Sequence, residues 1–262
     1  MRHDSGMNAI RAAALCLACF LALAACATPP PPDDAEALAE FQATNDPIEP
    51  ANRAVFAVND ALDTAVIRPA AQAYRFVVPE PAREGVHNVL MNVGSPVRLA
   101  NDILQAKPRR AGDTLMRFAI NSTVGVLGIF DVAKNWGYPE HDSDFGITLA
   151  LWGMPEAPYL MLPVLGPSDV RDTGGLAVDY GLNPFSWVGQ GAAVTALEWS
   201  YIPMLGLDSR ARRFNDIDAV KKTSLDPYAT FRSLYRQVRA REIEDTRQDH
   251  RATIPVWFPQ PG

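Results

Sequence analysis

Cysteine is scarce in this chain, with three in 262 residues, and all three (Cys16, Cys19 and Cys26) lie before position 27. No disulfide can staple the body of the protein, so its stability rests on a core alone. Histidine is nearly as rare, at four. No two of them sit at metal-ligand spacing, so no metal site is expected. His141-Asp142-Ser143-Asp144 can be drawn as a metal cluster but reads better as a solvated turn. The Gly-x-Ser-x-Gly turn of serine hydrolases is missing. Gly166-Pro167-Ser168-Asp169-Val170 comes nearest but lacks the second glycine, and reads as a capping turn before a helix. No phosphate-binding Gly-x-x-x-x-Gly-Lys-Ser/Thr loop is present. These absences give no catalytic residues, no cofactor and no enzyme. A basic excess is lacking too: the net charge of −6 disfavours nucleic acid as a partner, and attraction to anionic lipid by bulk charge.

What is present begins at the N-terminus. Ala12 to Ala25 is an apolar run preceded by Arg2 and Arg11, the pattern of a secretory signal, and it is too short to span a membrane. It ends Leu23-Ala24-Ala25-Cys26, a bacterial lipobox. Residues 1–25 are therefore expected to be a signal peptide, with Cys26 as the lipidated first residue of the mature chain, carrying covalent acyl chains. Residues 26–45 follow as a proline-rich and acidic linker, 46–250 as one domain, and 251–262 as a C-terminal tail containing Val256-Trp257-Phe258.

The body reads as mainly α. Val55, Val58, Leu62, Ala65 and Val66 recur at helical spacing until Pro69, which ends or kinks that helix. Ser95-Pro96 resembles an N-cap and first helical position, and Pro108 opens a helix carrying Leu115, Met116, Ala119 and Ile120. A last helix from about Asp226 to Asp249 places Tyr228, Phe231, Tyr235 and Val238 on one stripe, expected to be core. Residues 147–166 hold a single charge, Glu156, yet Gly153, Pro155, Pro158 and Pro163 forbid a continuous transmembrane helix. Such broken apolar backbone is tolerated in a bilayer only where protein or a water-filled cavity satisfies it.

Asn45-Asp46-Pro47-Ile48-Glu49, Asn52-Arg53, Arg68-Pro69-Ala70, Asn101 to Gln105, Arg117-Phe118, Gly125 to Ala133, Asp144-Phe145-Gly146 and above all Pro158 to Ser168 with Arg171-Asp172 resemble the MlaA (VacJ) family of outer-membrane lipoproteins. The resemblance implies a single ring-like helical domain around an amphipathic channel, embedded in the inner leaflet of the outer membrane. It implies removal of mislocalised phospholipids from the outer leaflet and their passage to a periplasmic lipid carrier of the MlaC type, with trimeric porins as partners. A purely structural lipoprotein bracing porins, and a lipid-surface hydrolase, are the competing readings. Ala27, where an aspartate would favour inner-membrane retention, agrees with outer-membrane sorting.

A headgroup crossing between leaflets needs polar lining, because unpaired charge is costly there. Arg53, Asn59, Arg117, Asn121 and Arg171 are the candidates for that lining. The competing reading pairs Arg53 and Arg171 with Asp46 or Asp172 and makes Asn121 a helix cap. Gly153-Met154-Pro155-Glu156-Ala157-Pro158 stands where relatives carry Gly-Val-Gly-x-Gly-Pro, so Gly153, Pro155, Ala157 and Pro158 form a candidate gating turn, stiffened here by two lost glycines. Pro50-Ala51 and Asn88-Val89 likewise replace family aromatics.

Overall fold

Alanine, leucine and glutamate dominate residues 35–44, and these are strong helix formers. In the computed structural model, which describes residues 34–184 and 191–249, they form helix α1 (Ala35–Thr44). The acidic part of the linker segment is therefore helical. Asn45 ends the helix at φ 46°, a left-handed conformation that asparagine tolerates. Cys26, the expected lipidation site, and the tail 251–262 lie outside the described residues, as does His250.

The chain divides into two compact units, one built on the chain up to Leu62 with Ala157–Val170, the other on Asp63–Glu156 with the chain from Arg171 on. In the first unit, α1 is followed by α2 (Glu49–Leu62) and an antiparallel hairpin of β1 (Tyr159–Leu162) and β2 (Gly166–Asp169). The register pairs Tyr159 with Asp169 and Leu162 with Gly166. Val164 (φ 68°) and Gly166 (φ 86°) turn the chain between the strands. The Gly166 to Asp169 segment is thus a strand rather than a capping turn.

The second unit starts with a π-helical turn (Asp63–Ile67) and α3 (Arg68–Val77). Pro69, in the first turn of α3, has no N–H to give to the preceding turn, and the helical register changes there instead of ending. Next come α4 (Glu80–Leu104), α5 (Pro108–Thr123), the short α6 (Val132–Asn135) and α7 (Phe145–Leu151). Then follow α8 (Val170–Leu182), α9 (Ala192–Arg212), α10 (Phe214–Thr223) and α11 (Pro227–Arg247). Ser95-Pro96 does not open a helix: Pro96 lies inside α4, and the Ser95 hydroxyl donates to the Met91 carbonyl at 3.1 Å. One missing backbone donor is outweighed by the burial of Leu90, Asn92, Ser95, Asn101 and Asp102 along the same helix. Asp226 caps α11 by accepting from Ala229 N, and Tyr228 is buried while Val238 is exposed, so the aromatic stripe is core only at its N-terminal end.

The distribution of polarity is inverted relative to an ordinary water-soluble domain. Among the described residues the buried side chains include eleven apolar and twenty-one polar or charged ones, whereas Phe76, Leu127, Phe130, Trp152 and Trp199 are all more than half exposed. Helix α5 shows the inversion within a single element: Arg110, Thr114, Arg117 and Asn121 are buried, and Leu115, Met116 and Phe118 face out. No helix among the described residues is long and apolar enough to cross a membrane.

Charge also organises the end of the second unit formed by the π-turn, α3, α9 and α10. Arg68, Arg75 and Arg210 surround the Phe214 ring at 5.5, 4.8 and 4.9 Å. Arg210 reaches Asp63 at 2.8 Å and Asp218 at 2.7 Å, and Arg68 reaches Asp218 at 2.8 Å. The hydrogen bond from Arg68, opposed by burial and supported by Arg210, holds Asp218 down to about 2 from its ordinary 3.8. A depressed carboxylate stabilises the fold above its unfolded pKa, and that contribution fades as pH falls from about 4 toward 2. Thermal melts across this window should therefore fall less steeply for Asp218→Asn than for the wild type.

Candidate functional site

In the first unit, two asparagines seven residues apart share one face of α2 and hold the hairpin by its backbone. Asn52 donates to Asp46 Oδ1 at 2.8 Å and to the Tyr159 carbonyl at 3.1 Å, and accepts from Met161 N at 2.9 Å. Asn59 donates to the Leu162 carbonyl at 2.9 Å and accepts from Val164 N at 2.8 Å. The pair works as a latch: it fixes a loop tip whose Val164 and Leu165 are largely exposed. Asn52 is fully buried, so Asn52→Ala strands a backbone donor and an acceptor. A loss of about 1–3 kcal/mol is expected in chemical denaturation of the detergent-solubilised protein.

In the second unit, an equivalent apolar tip is carried by residues 124–130. Val126, Leu127 and Gly128 are successively left-handed, at φ 54°, 58° and 95°. Gly128 is required there twice over, since a Cβ would also come within 2.6 Å of the Asn92 side chain. Val124, Val126, Leu127 and Phe130 are each more than half exposed. Beneath them Arg117 donates to Asp131 at 2.9 Å and to the Tyr138 carbonyl at 2.8 Å. Asn121 donates to Asp131 at 3.0 Å and accepts from Ala133 N at 3.0 Å. Burial raises the Asp131 pKa, but the hydrogen bonds from Asn121 and Arg117 outweigh it and leave the carboxyl below its ordinary value. The anchor is therefore ionised at neutral pH.

A second buried polar cluster joins α4, α5, α7, α8 and α11. Asn101 donates to Asp179 at 2.7 Å and accepts from Thr148, which also receives a bond from Gln105. Asp102, wholly buried, accepts from Thr114 at 2.6 Å and faces His141 Nε2 at 3.0 Å. The His141 to Asp144 stretch is thus a packed connection rather than a solvated turn, with Ser143 buried and Asp144 capping α7 through Ile147 N. Arg239 grips Asp144 with both terminal nitrogens, at 2.6 and 2.7 Å, and sets Nε 2.6 Å from Asp172. Tyr235 and Arg171 complete the shell of Asp172. Burial lifts the Asp172 pKa, yet Arg239, Tyr235 and Arg171 together hold it below the ordinary carboxylate range.

The five predicted lining residues fall in four settings. Arg53 pairs with Glu49 one turn away at 2.7 Å, with a side chain 41% exposed. Asn59 holds the hairpin tip, and Arg117 and Asn121 converge on Asp131. They also border a narrow cleft with Asn88, Met91, Asn92 and Arg98. Arg171 is buried against Asp172. In the candidate gating turn Gly153 is exposed at φ 98° with open space around it, Pro155 is exposed, and Ala157 accepts from Asn45 at 3.0 Å. Three positions were missed as site residues: Asn52, Asp131 and Arg239. Asn52 and Asn59 share seven-residue spacing, which is a readable signal; the pairing of Arg239 with Asp144 spans 95 residues and leaves no local trace.

Comparison with known proteins gives this arrangement a family. The family model described as MlaA lipoprotein matches residues 44–242. A protein of Rickettsia bellii, named only as uncharacterized, is 34% identical over 200 residues, covering 76% of this chain and 77% of the relative. The intermembrane phospholipid transport system lipoprotein MlaA of Escherichia coli is 33% identical over 200 residues, covering 75% and 77%, and the protein of that name from Haemophilus influenzae is 29% identical over 208 residues, covering 77% and 80%. A solved structure described as the structural basis for maintenance of bacterial outer membrane lipid asymmetry superposes with a TM-score of 0.65 at 31% identity, covering 77% of this chain and 98% of that one. With its polar interior, its apolar exterior and its latched hairpin, the chain belongs to the MlaA lipoprotein family.

Proposed function

We propose that this protein is an outer-membrane lipoprotein that removes mislocalised phospholipids from the outer leaflet and passes them to a periplasmic lipid carrier, maintaining lipid asymmetry. The observation that carries the reading is the inversion of polarity: exposed Leu127, Phe130, Trp152 and Trp199 outside, buried arginines, aspartates and asparagines inside. In water that exterior would forfeit on the order of 25 cal/mol for each Å² of apolar surface left uncovered, whereas among acyl chains it is at home. The named relatives in Escherichia coli and Haemophilus influenzae belong to an intermembrane phospholipid transport system, which supports the same assignment. Acyl chains on Cys26 tether the protein on the periplasmic side, and its body sits in the inner leaflet. Arg53, Asn59, Arg117, Asn121 and Arg171 serve the polar path, directly or by fixing its walls, and the turn containing Gly153, Pro155, Ala157 and Pro158 gates it. A trimeric porin and a carrier of the MlaC type are the partners. The transfer is non-covalent: no bond of the lipid is made or broken.

The test is the amount of phospholipid in the outer leaflet of cells lacking the protein, read by an outer-leaflet-specific acyl-transfer reaction. Wild type restores the low level and Cys26→Ala does not. An unchanged level in the deletion strain would contradict transport and favour a role in bracing porins.

A further inference from the structure

On the second unit, the first turn of α5, the 139–142 segment and the last turns of α11 enclose a cavity of about 480 Å³. Its wall carries six carboxylates and three guanidiniums. Most of these are paired: Arg241 with Asp245 at 3.6 Å, Arg109 with Asp249 at 4.0 Å, and Glu242 with Arg239 at 3.0 Å. Two are not. Arg110 is 6% exposed, its Nη2 donates only to the Asp142 carbonyl at 2.8 Å, and its Nε has no acceptor. Among the described residues it has no ion-pair partner. Burial lowers the Arg110 pKa, and the more distant carboxylates, Asp102 and Asp249 first, pull it back up. The Asp142 carboxylate is exposed and, among the described residues, makes no ion pair.

A buried cation with no direct ion-pair partner is expensive, and a ligand can supply one. A simple anion is a poor candidate, because the wall as a whole is acidic. A group carrying both signs fits each unpaired member of the wall.

We propose that this cavity binds a phosphoethanolamine zwitterion, its phosphate on the Arg110 guanidinium and its ammonium on the Asp142 carboxylate. Within the transport reading, on which it rests for the lipid source, the cavity is a headgroup site that favours zwitterionic over anionic phospholipid. The same chemistry could arrive as a soluble ester.

The experiment is titration of the full chain in detergent with dihexanoyl phosphatidylethanolamine, dihexanoyl phosphatidylglycerol, glycerophosphoethanolamine and inorganic phosphate. The expected result is a preference of about fivefold for the ethanolamine over the glycerol lipid, erased by Asp142→Asn. Arg110→Gln weakens both lipids by roughly tenfold. Asp142 is exposed and unpaired, so its variant keeps the fold even if the Arg110 variant does not. Binding of the lipid and not of glycerophosphoethanolamine assigns the ligand to the membrane, and equal binding of both assigns it to the shared headgroup in either source. Equal affinity for the two lipids, or a preference that Asp142→Asn leaves intact, overturns the proposal. Saturation by inorganic phosphate as tight as by the ethanolamine lipid overturns it too. The transport reading fails separately: it fails if deletion leaves the outer leaflet unchanged, whatever the titration gives.

Discussion

Arg239→Ala costs about 3–5 kcal/mol of stability, the largest loss expected from any single truncation in the second unit. The side chain is 12% exposed and serves three carboxylates on three elements: Asp144 at the start of α7, Asp172 on α8 and Glu242 on its own helix α11. Its removal takes both guanidinium bonds from Asp144 and leaves Asp172 with Arg171 and Tyr235 alone, and an under-compensated buried charge is the costly outcome. Lysine at this position keeps the charge but not the planar fork that grips both oxygens of Asp144, so Arg239→Lys recovers only part of the loss. The control is Arg241→Ala two residues on. That side chain is 84% exposed and pairs with Asp245 across one turn, so its loss is below about 1 kcal/mol. Urea denaturation of the detergent-solubilised variants checks the order. Equal effects at 239 and 241 would mean that the network contributes no more than a surface pair.

Leu127→Asp acts in the opposite sense, abolishing function without harming the fold. Leu127 is 74% exposed and sits at φ 58°, a conformation that costs leucine roughly 1–2 kcal/mol and that aspartate tolerates better. In micelles the variant should melt no lower than wild type. In a bilayer the carboxylate must enter or skirt the acyl region, at a cost of about 2.5–3.5 kcal/mol when fully inserted. Outer-leaflet phospholipid should then rise to the level of cells lacking the protein, at normal protein abundance. Leu127→Asn, which relieves the same backbone conformation without a charge, should keep most of the activity.

The sequence carried much of this structure, unevenly. Pro108 marked the start of α5, and Asp226 its counterpart before α11, because a missing donor and a side-chain cap are local signals. The facing of α5 was not legible. Arg110, Thr114, Arg117 and Asn121 form one stripe and Leu115 and Phe118 lie off it, but the pattern is the same whether water or lipid lies outside. Ser95-Pro96 had the local chemistry of a helix start and was overridden by burial of the residues around it along α4. The hairpin was hidden for another reason: its strands are four residues each, and the asparagines that hold them lie more than a hundred residues earlier. Arg117 and Asn121 were found as candidates by residue type, whereas the partner that brings them together, Asp131, is defined only by the fold.

Contact between the exposed apolar surface and acyl chains can be read by fluorescence quenching. A fluorophore attached at Leu127→Cys in the reconstituted, lipidated protein is compared with one at Arg241→Cys, with bromine-labelled phospholipid as quencher. With Cys26 acylated and residues 1–25 removed, as proposed above, each variant offers one labelling site. Strong quenching is expected at 127 and little at 241. Equal and weak quenching at both positions would contradict that contact, and would require a protein partner rather than lipid to cover the 124–130 loop.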